Sequence, residues 1–187
     1  GDQPGLSGVS AYLVSLQTAA APPVCGGTST GSTSTTLAAP ADGSYFVHVC
    51  AVDLAGNTGE VAVGGPYVVD TAGPIGLVVS SSSHSVSTWS NDNTVDFSWS
   101  GATDPSGIAG YAVAFDQSSA TEPACAATQT ASSFTGSSSP DGGDWWIHVR
   151  AIDNAGNCGA TSHLGPFQVD TQSPAAPTGL ASSSHEV

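Results

Sequence analysis

The sequence contains no methionine and no lysine, and Arg150 is its single basic residue. Fifteen acidic residues therefore leave a formal net charge of −14. Nucleic acids and anionic lipid surfaces are bound through clustered Lys and Arg side chains, so this composition excludes both as partners. A surface of this kind attracts cations instead.

Long apolar runs are also missing: no stretch of 18 apolar residues is present, so we expect no membrane span. No leader of the charged-then-apolar type opens the chain, and we interpret Gly1 as a cut, with any signal peptide or anchor outside this stretch. The sequence has 23 Gly, 12 Pro and 39% hydrophobic residues. Few helix formers and spaced Val, Ile, Tyr and Trp predict many short strands joined by turns.

Motifs for catalysis are scarce as well. The sequence has no His-Glu-x-x-His motif and no phosphate loop. Its acidic pairs lie in turns, and Ser and Thr are too plentiful for any one to stand out as a nucleophile. We therefore predict that the chain is not an enzyme.

An internal repeat is the strongest positive signal. The segment Gly43–Asn57 returns as Gly143–Asn157, and Gly65–Thr71 returns as Gly165–Thr171, both at an offset of 100 residues. We predict a repeat lacking its first strands over 1–71, a complete repeat over 72–171 and the opening segment of a third over 172–187. A period of about 100 residues is typical of one immunoglobulin-like sandwich.

Period-two alternation predicts the strands of the complete repeat. The apolar residues of Thr94–Ser100 stand at alternate positions and so share one face of the strand. The same holds for the apolar residues Trp145, Ile147, Val149 and Ala151 in Trp145–Ala151. His48 and His148 alternate with the apolar set, so we expect both to point outward into solvent. No helix is needed anywhere. The predicted strands are Leu77–Val79, Thr94–Ser100, Ile108–Phe115, a weak strand around Phe134, Trp145–Ala151 and Phe167–Val169.

Three segments carry a family resemblance: Ala102–Tyr111, Val149–Asn157 and Val169–Pro174. They resemble bacterial Ig-like and fibronectin-III-like repeats, which occur in surface adhesins, in extracellular fibres and as spacers in secreted hydrolases. The resemblance implies an all-β fold of tandem immunoglobulin/fibronectin-III-like β-sandwiches and an extracellular or cell-surface location. It implies no single function, because such modules serve many.

Sandwich topology places several acidic and amide residues together. The incoming linker should meet the B–C and F–G loops at one end, and calcium is bound by six to eight such oxygens. Adhesins that resemble this chain stiffen their seams with such ions. The competing interpretation is turn chemistry alone, since Asp and Asn are preferred in turns. The candidate calcium ligands are Asp70, Asp104, Asp153 and Asn157, with Asp2, Asp53 and Asn57 as the same loop set one repeat earlier.

Four cysteines fit an oxidising compartment. Cys25 and Cys125 are equivalent in the repeat alignment, but their partners differ. We predict the disulfides Cys25–Cys50 and Cys125–Cys158, each inside one repeat, although four cysteines allow three pairings. A zinc site is the alternative, and it lacks the Cys-x-x-Cys spacing that such sites use.

Three functional hypotheses follow. The first is a non-enzymatic structural repeat region of a surface fibre or adhesin, whose partners are neighbouring repeats or identical subunits. The second is a carbohydrate-binding or spacer module of a secreted enzyme, which would touch a surface glycan through Trp89, Trp145, Trp146 and Phe46. The third is a filament subunit that assembles by strand exchange.

Overall fold

A computed structural model describes residues 7–138 and 141–179, and these residues form strands, turns and loops without any helix. Accordingly, no helix long and apolar enough to cross a membrane occurs in that part of the chain. The chain divides into two compact units, of which the first ends at Thr71 and the second begins at Ala72. The prediction of an all-β fold is confirmed.

The first unit is one antiparallel sheet. Its strands are β1 (Val9–Gln17), β2 (Thr28–Thr30), β3 (Gly43–Asp53) and β4 (Ala62–Val69). They lie in the order β2-β1-β3-β4, so β3 is central. A shift in register at the start of β1, between Val9 and Ala11, marks a bulge in its pairing with β3.

The second unit contains two sheets. One has the order β5-β7-β9 and the other the order β6-β11-β10-β8. All pairs are antiparallel except β6 with β11. The strands are β5 (Val78–Ser81), β6 (Trp89–Ser90), β7 (Thr94–Ser100), β8 (Ile108–Asp116), β9 (Ser133–Ser137), β10 (Gly142–Asp153) and β11 (Ser162–Val169).

This strand order is that of an immunoglobulin/fibronectin-III-like sandwich. Strands β5, β7 and β9 correspond to A, B and E, whereas β8, β10 and β11 correspond to C, F and G. The short β6 follows A along the chain and joins the G strand of the other sheet. The second unit is therefore a closed β-sandwich of this type.

Alternation along β7 builds one half of the core. Val95, Phe97 and Trp99 are 0%, 3% and 4% exposed, while the residues between them face solvent. Successive side chains of a strand point to opposite faces, which is why this pattern buries every second residue. The facing residues from the other sheet are Trp145, Ile147, Val149 and Phe167.

The predicted strands agree closely with those of the second unit. Strand β7 has the predicted bounds, and the weak strand around Phe134 is β9. The strands predicted over Trp145–Ala151 and Phe167–Val169 are longer in the structure, because β10 and β11 both extend toward their loops. Of the predicted third-repeat segment, residues 172–179 form no strand, and 180–187 lie outside the described residues.

The first unit has an apolar face that its own described strands leave open. Val47 and Val49 are half-buried there, whereas Ile147 and Val149 at the matched positions are fully buried. Tyr67 is 56% exposed. The name open face is used below for the surface formed by Val14, Val47, Val49, Tyr67 and Val69.

Candidate functional site

The Asp-x-Ala-Gly-Asn loop has the same hydrogen bonds in both units. Asn57 donates its backbone N–H to Asp53 Oδ1 at 2.8 Å and its side-chain amide to Asp53 Oδ2 at 2.9 Å. Asn157 donates the same two bonds to Asp153, at 2.7 and 2.9 Å. The carboxylate thus closes a tight loop, as turn chemistry predicts for Asp and Asn.

These hydrogen bonds lower the pKa values of both carboxyl groups. The Asn57 side-chain amide, followed by its backbone N–H, holds the pKa of Asp53 below the ordinary 3.8. Burial raises the pKa of Asp153, but donors from Asn157, Gly156 and Ala155 outweigh burial and leave that pKa below 3.8 as well. Both groups are therefore carboxylates at neutral pH.

The B–C loop of the second unit packs against this F–G loop. Asn154 donates its backbone N–H to the Gly107 carbonyl at 3.1 Å and its side-chain amide to the Ser106 carbonyl at 2.7 Å. Asp104 closes the B–C turn, because its Oδ1 accepts from the backbone N–H and the hydroxyl of Ser106 at 2.8 and 2.7 Å.

This packing brings two of the candidate calcium ligands together. Carboxylate oxygens of Asp104 and Asp153 lie within 4.8 Å of each other at the loop end of the second unit. Asp153 is buried and Asp104 is half-buried. Two carboxylates at this separation are the kind of oxygen pair that a divalent cation bridges.

Three of the other candidate ligands, Asp70, Asp53 and Asn57, belong to the first unit. Asp70 belongs to the first unit, one residue before its end. Asp53 and Asn57 form the matched loop of that unit, where they are hydrogen-bonded to one another. Asp2 lies outside the described residues.

The predicted disulfides are confirmed. Cys25 is bonded to Cys50 and Cys125 to Cys158, with Cα–Cα distances of 5.6 and 5.9 Å. No free cysteine is found along the described parts of the chain. Cys25–Cys50 joins the segment after β1 to strand β3. Cys125–Cys158 joins the loop after β8 to the loop after β10.

The prediction that His48 and His148 point into solvent is wrong. Their exposed fractions are 1% and 0%. In the first unit, His48 Nδ1 accepts from the Val24 N–H and Nε2 lies 3.1 Å from the Ala19 carbonyl, so the ring holds the loop leading to Cys25. Both imidazoles do face away from the apolar set, but a long loop covers them.

The second unit adds another histidine to this arrangement. The Nδ1 atoms of His148 and His163 are 2.7 Å apart, so one ring donates to the other. His148 Nε2 lies 3.4 Å from an oxygen of Asp116, and His163 Nε2 lies 3.7 Å from Glu122. Val63 occupies the position of His163 in the first unit. The series of contacts from Asp116 through the two histidines to Glu122 is therefore a feature of the second unit.

One motif was overlooked in the sequence. Gly27-Thr28-Ser29-Thr30-Gly31 matches Gly-x-Ser-x-Gly, which in hydrolases forms a sharp turn between a strand and a helix. Here Ser29 lies inside β2, pairs with Leu13 and is exposed. The strand–turn–helix context is missing around it, so the match does not indicate a nucleophile.

The aromatic residues considered for sugar binding are dispersed. Trp145 belongs to the core and stacks on Phe115 at a centroid distance of 5.1 Å. Trp146 and Phe46 are half-buried at matched positions, and Trp89 is 60% exposed at the sheet edge. Trp89 is therefore the member of this set that offers a free ring face.

No family model matches the chain, and no curated protein matches it. Among solved structures, the fibronectin(III)-like modules of CbhA from Clostridium thermocellum match with a TM-score of 0.42 and 14% identity. That match covers 96% of this chain and 88% of that chain. A likeness at this level carries no argument about function, and the fold assignment rests on the strand order given above.

Proposed function

We propose that this chain is a structural repeat region of an extracellular surface fibre or adhesin, joined to neighbouring repeats or identical subunits. The observation that supports it is the repeated construction. One chain carries twice the same Asp–Asn loop, the same buried histidine and the same disulfide-fastened loop, at an offset of 100 residues. Reiterating one stable module is how a chain gains length without new chemistry.

Two disulfides agree with the extracellular part of this proposal. Such bonds persist in oxidising compartments and are rare in the cytosol. The charge of −14 adds to it, because a strongly acidic surface keeps closely spaced modules soluble.

Calcium is the cofactor we propose for this assembly. Asp104 and Asp153 already present carboxylate oxygens within 4.8 Å of each other. Asp70, near the end of the first unit, would add a third carboxylate. A cation shared by these residues would stiffen the seam between successive repeats.

Two other functions keep some support. Trp89, with 60% of its surface exposed, could stack on a sugar ring in a carbohydrate-binding or spacer module. The open face of the first unit favours a subunit that takes up strands from elsewhere.

Immunogold electron microscopy of the native source tests the main proposal. With an antibody against the second unit, we expect gold particles at regular intervals along filaments on the cell surface. Antibody pre-absorbed with the purified chain is the control. Gold confined to the cytoplasm, or to isolated enzyme particles, would contradict a fibre.

A further inference from the structure

We propose that His148 and His163 form a pH-sensitive fastening in the second unit. It holds residues 117–124 against β10 and β11 while the two rings share one extra proton, and it loosens them when that proton is lost. Residues 117–124 follow β8, end just before Cys125 and are called the strap below. This inference goes beyond the proposed function, because it concerns one module and holds whether or not the chain builds a fibre.

The contacts of the two rings require three protons on nitrogen. One proton lies between the Nδ1 atoms, which are 2.7 Å apart. His148 Nε2 faces Asp116 Oδ1 at 3.4 Å, and His163 Nε2 faces Glu122 Oε1 at 3.7 Å. An ionised carboxylate only accepts hydrogen bonds, so each Nε2 is matched to its partner only as an N–H. Two neutral imidazoles carry two N–H protons, and the complete series therefore contains one imidazolium.

The Asp116 end of the series keeps its proton. Burial raises the pKa of Asp116, but the Ser118 N–H, the Thr121 hydroxyl and His148 outweigh burial and hold that pKa below the ordinary 3.8. Asp116 is therefore a carboxylate at neutral pH. His148 Nε2 is buried and faces this carboxylate, so a bare nitrogen there would be an acceptor set against an acceptor away from water. When the rings hold only two protons, one of them stays on His148 Nε2.

The Glu122 end of the series is where the proton is lost. Glu122 belongs to the strap, its side chain is 60% exposed, and its Oε2 accepts from the Thr161 hydroxyl. Without the extra proton, His163 Nε2 presents a lone pair to the Glu122 carboxylate, and the ion pair between them is gone. The strap then keeps its contact with Thr161 and the disulfide at Cys125, but it loses its contact with His163.

The charges around the two rings favour the bound proton. Among the described residues, Asp116 faces the rings from β8 and Glu122 faces them from the strap. The opposing charge is Arg150, two residues along β10, whose Nε donates to the Gly159 carbonyl at 2.7 Å. Opposite charges this close favour the charged form of a group. As the pH rises through the range in which histidine titrates, the proton leaves to solvent and the strap loosens.

The first unit buries the matched ring without this device. His48 Nδ1 accepts from the Val24 N–H at 3.1 Å, and Nε2 lies 3.1 Å from the Ala19 carbonyl. A single proton on Nε2 satisfies both contacts, so His48 is complete as a neutral ring. Val63 pairs with His48 where His163 stands in the second unit. The chain itself thus supplies the substitution that removes the series.

The test is NMR spectroscopy of the full chain at about pH 6 and about pH 8.5, on either side of the range in which histidine titrates. Long-range 1H–15N spectra should show one imidazolium shared by His148 and His163 at the lower pH and two neutral rings at the higher pH. Protection factors of the amides of residues 118–122, which correct for the intrinsic pH dependence of exchange, should fall about two- to fivefold, as expected for an exposed ion pair.

Two variants and a control locate the effect. His163→Val copies the first unit, and Glu122→Gln removes the charge on the strap, so both should abolish the pH dependence of strap protection. His84→Gln, at a histidine between β5 and β6, should leave it intact. Unchanged protection of the Ile147 and Phe167 amides in all three variants shows that the sandwich remains folded.

Four results would overturn the proposal. The first two are equal strap protection at both pH values, or two neutral rings at about pH 6. The third is the same pH response in His163→Val as in the parent chain. The fourth is a pH response of equal size at Ile147 and Phe167, because it would report loosening of the whole unit and not of the strap.

Discussion

Asn157 donates two hydrogen bonds to Asp153, one from its backbone and one from its side chain, and the same pair of bonds joins Asn57 to Asp53. The two loops differ in burial, since Asp153 is 1% exposed and Asp53 is half-buried. A carboxylate withdrawn from water depends more on its protein donors. The chain therefore contains two matched Asp–Asn loops that differ mainly in how deeply the aspartate is buried.

Replacing the asparagines should reveal this difference. We expect Asn157→Ala to lower the melting temperature of the second unit more than Asn57→Ala lowers that of the first. The two melts can be separated, because all four tryptophans belong to the second unit and Tyr12, Tyr45 and Tyr67 to the first. Equal losses would show that burial of Asp153 is not what matters.

The same loops predict a loss of stability in acid. The pKa of Asp153 is below 3.8 in the folded chain and close to that ordinary value when unfolded. The folded state then gains stability above about pH 4 and loses it as the pH falls through the folded pKa. Melting temperatures should be flat from about pH 5 to 7 and fall below about pH 4. In Asn157→Ala the fall should be shallower, and an unchanged profile would contradict this assignment.

Removing the disulfide of the second unit should weaken it strongly. The Cys125–Cys158 bond closes a separation of 33 residues. For the double variant Cys125→Ser with Cys158→Ser we expect a loss of about 3–4 kcal/mol in the free energy of unfolding, from urea denaturation followed by tryptophan fluorescence. The first unit, with Cys25–Cys50 intact, is the internal control. A loss under about 1 kcal/mol would mean that other contacts hold the loop.

A glycine pair tests the close packing of the second unit. A Cβ added at Gly159 would lie 2.2 Å from the Pro74 carbonyl oxygen, whereas one at Gly59 would meet only the Ala51 carbonyl, at 3.7 Å. Gly159→Ala should therefore destabilise its unit by about 1–3 kcal/mol. Gly59→Ala should change stability by no more than about 0.5 kcal/mol. Similar effects in thermal unfolding would contradict the packing difference.

Calcium binding is tested on chelator-treated protein. Calcium at 100 times its dissociation constant would stabilise the folded chain by about 2.7 kcal/mol, and the melting temperature of the second unit should rise. Asp104→Asn should remove the rise. Asp144→Asn, at an exposed acid of β10, is the control and should keep it. Identical melts with calcium and with chelator would reject the ion.

Much of the fold could be predicted because it is encoded locally. Strand β7 alternates strictly between apolar and polar residues, and that pattern fixes both its conformation and its buried face. The disulfides could be predicted because each repeat contains two cysteines, so each pair could form inside one repeat.

The buried histidines could not be predicted in this way. Alternation assigns His148 to the outer side of its sheet, but it cannot tell that the loop between β8 and β9 returns to cover that side. The contact between His148 and His163 is equally non-local, because it depends on the register of β10 against β11. The Asp153–Asn157 hydrogen bonds could not be predicted either, because the same residues fit both a calcium-binding loop and a closed turn.

The central claim is that one chain holds the same repeat twice: the second copy is a closed sandwich, whereas the described residues of the first form one sheet with an open apolar face. Native-state hydrogen exchange of the full chain, resolved by NMR at matched positions, tests it most directly. The amides of Ile147 and Val149 should exchange at least about 100-fold more slowly than those of Val47 and Val49, because the closed core opens less often. Equal rates at the matched positions, or slower exchange in the first unit, would contradict the claim.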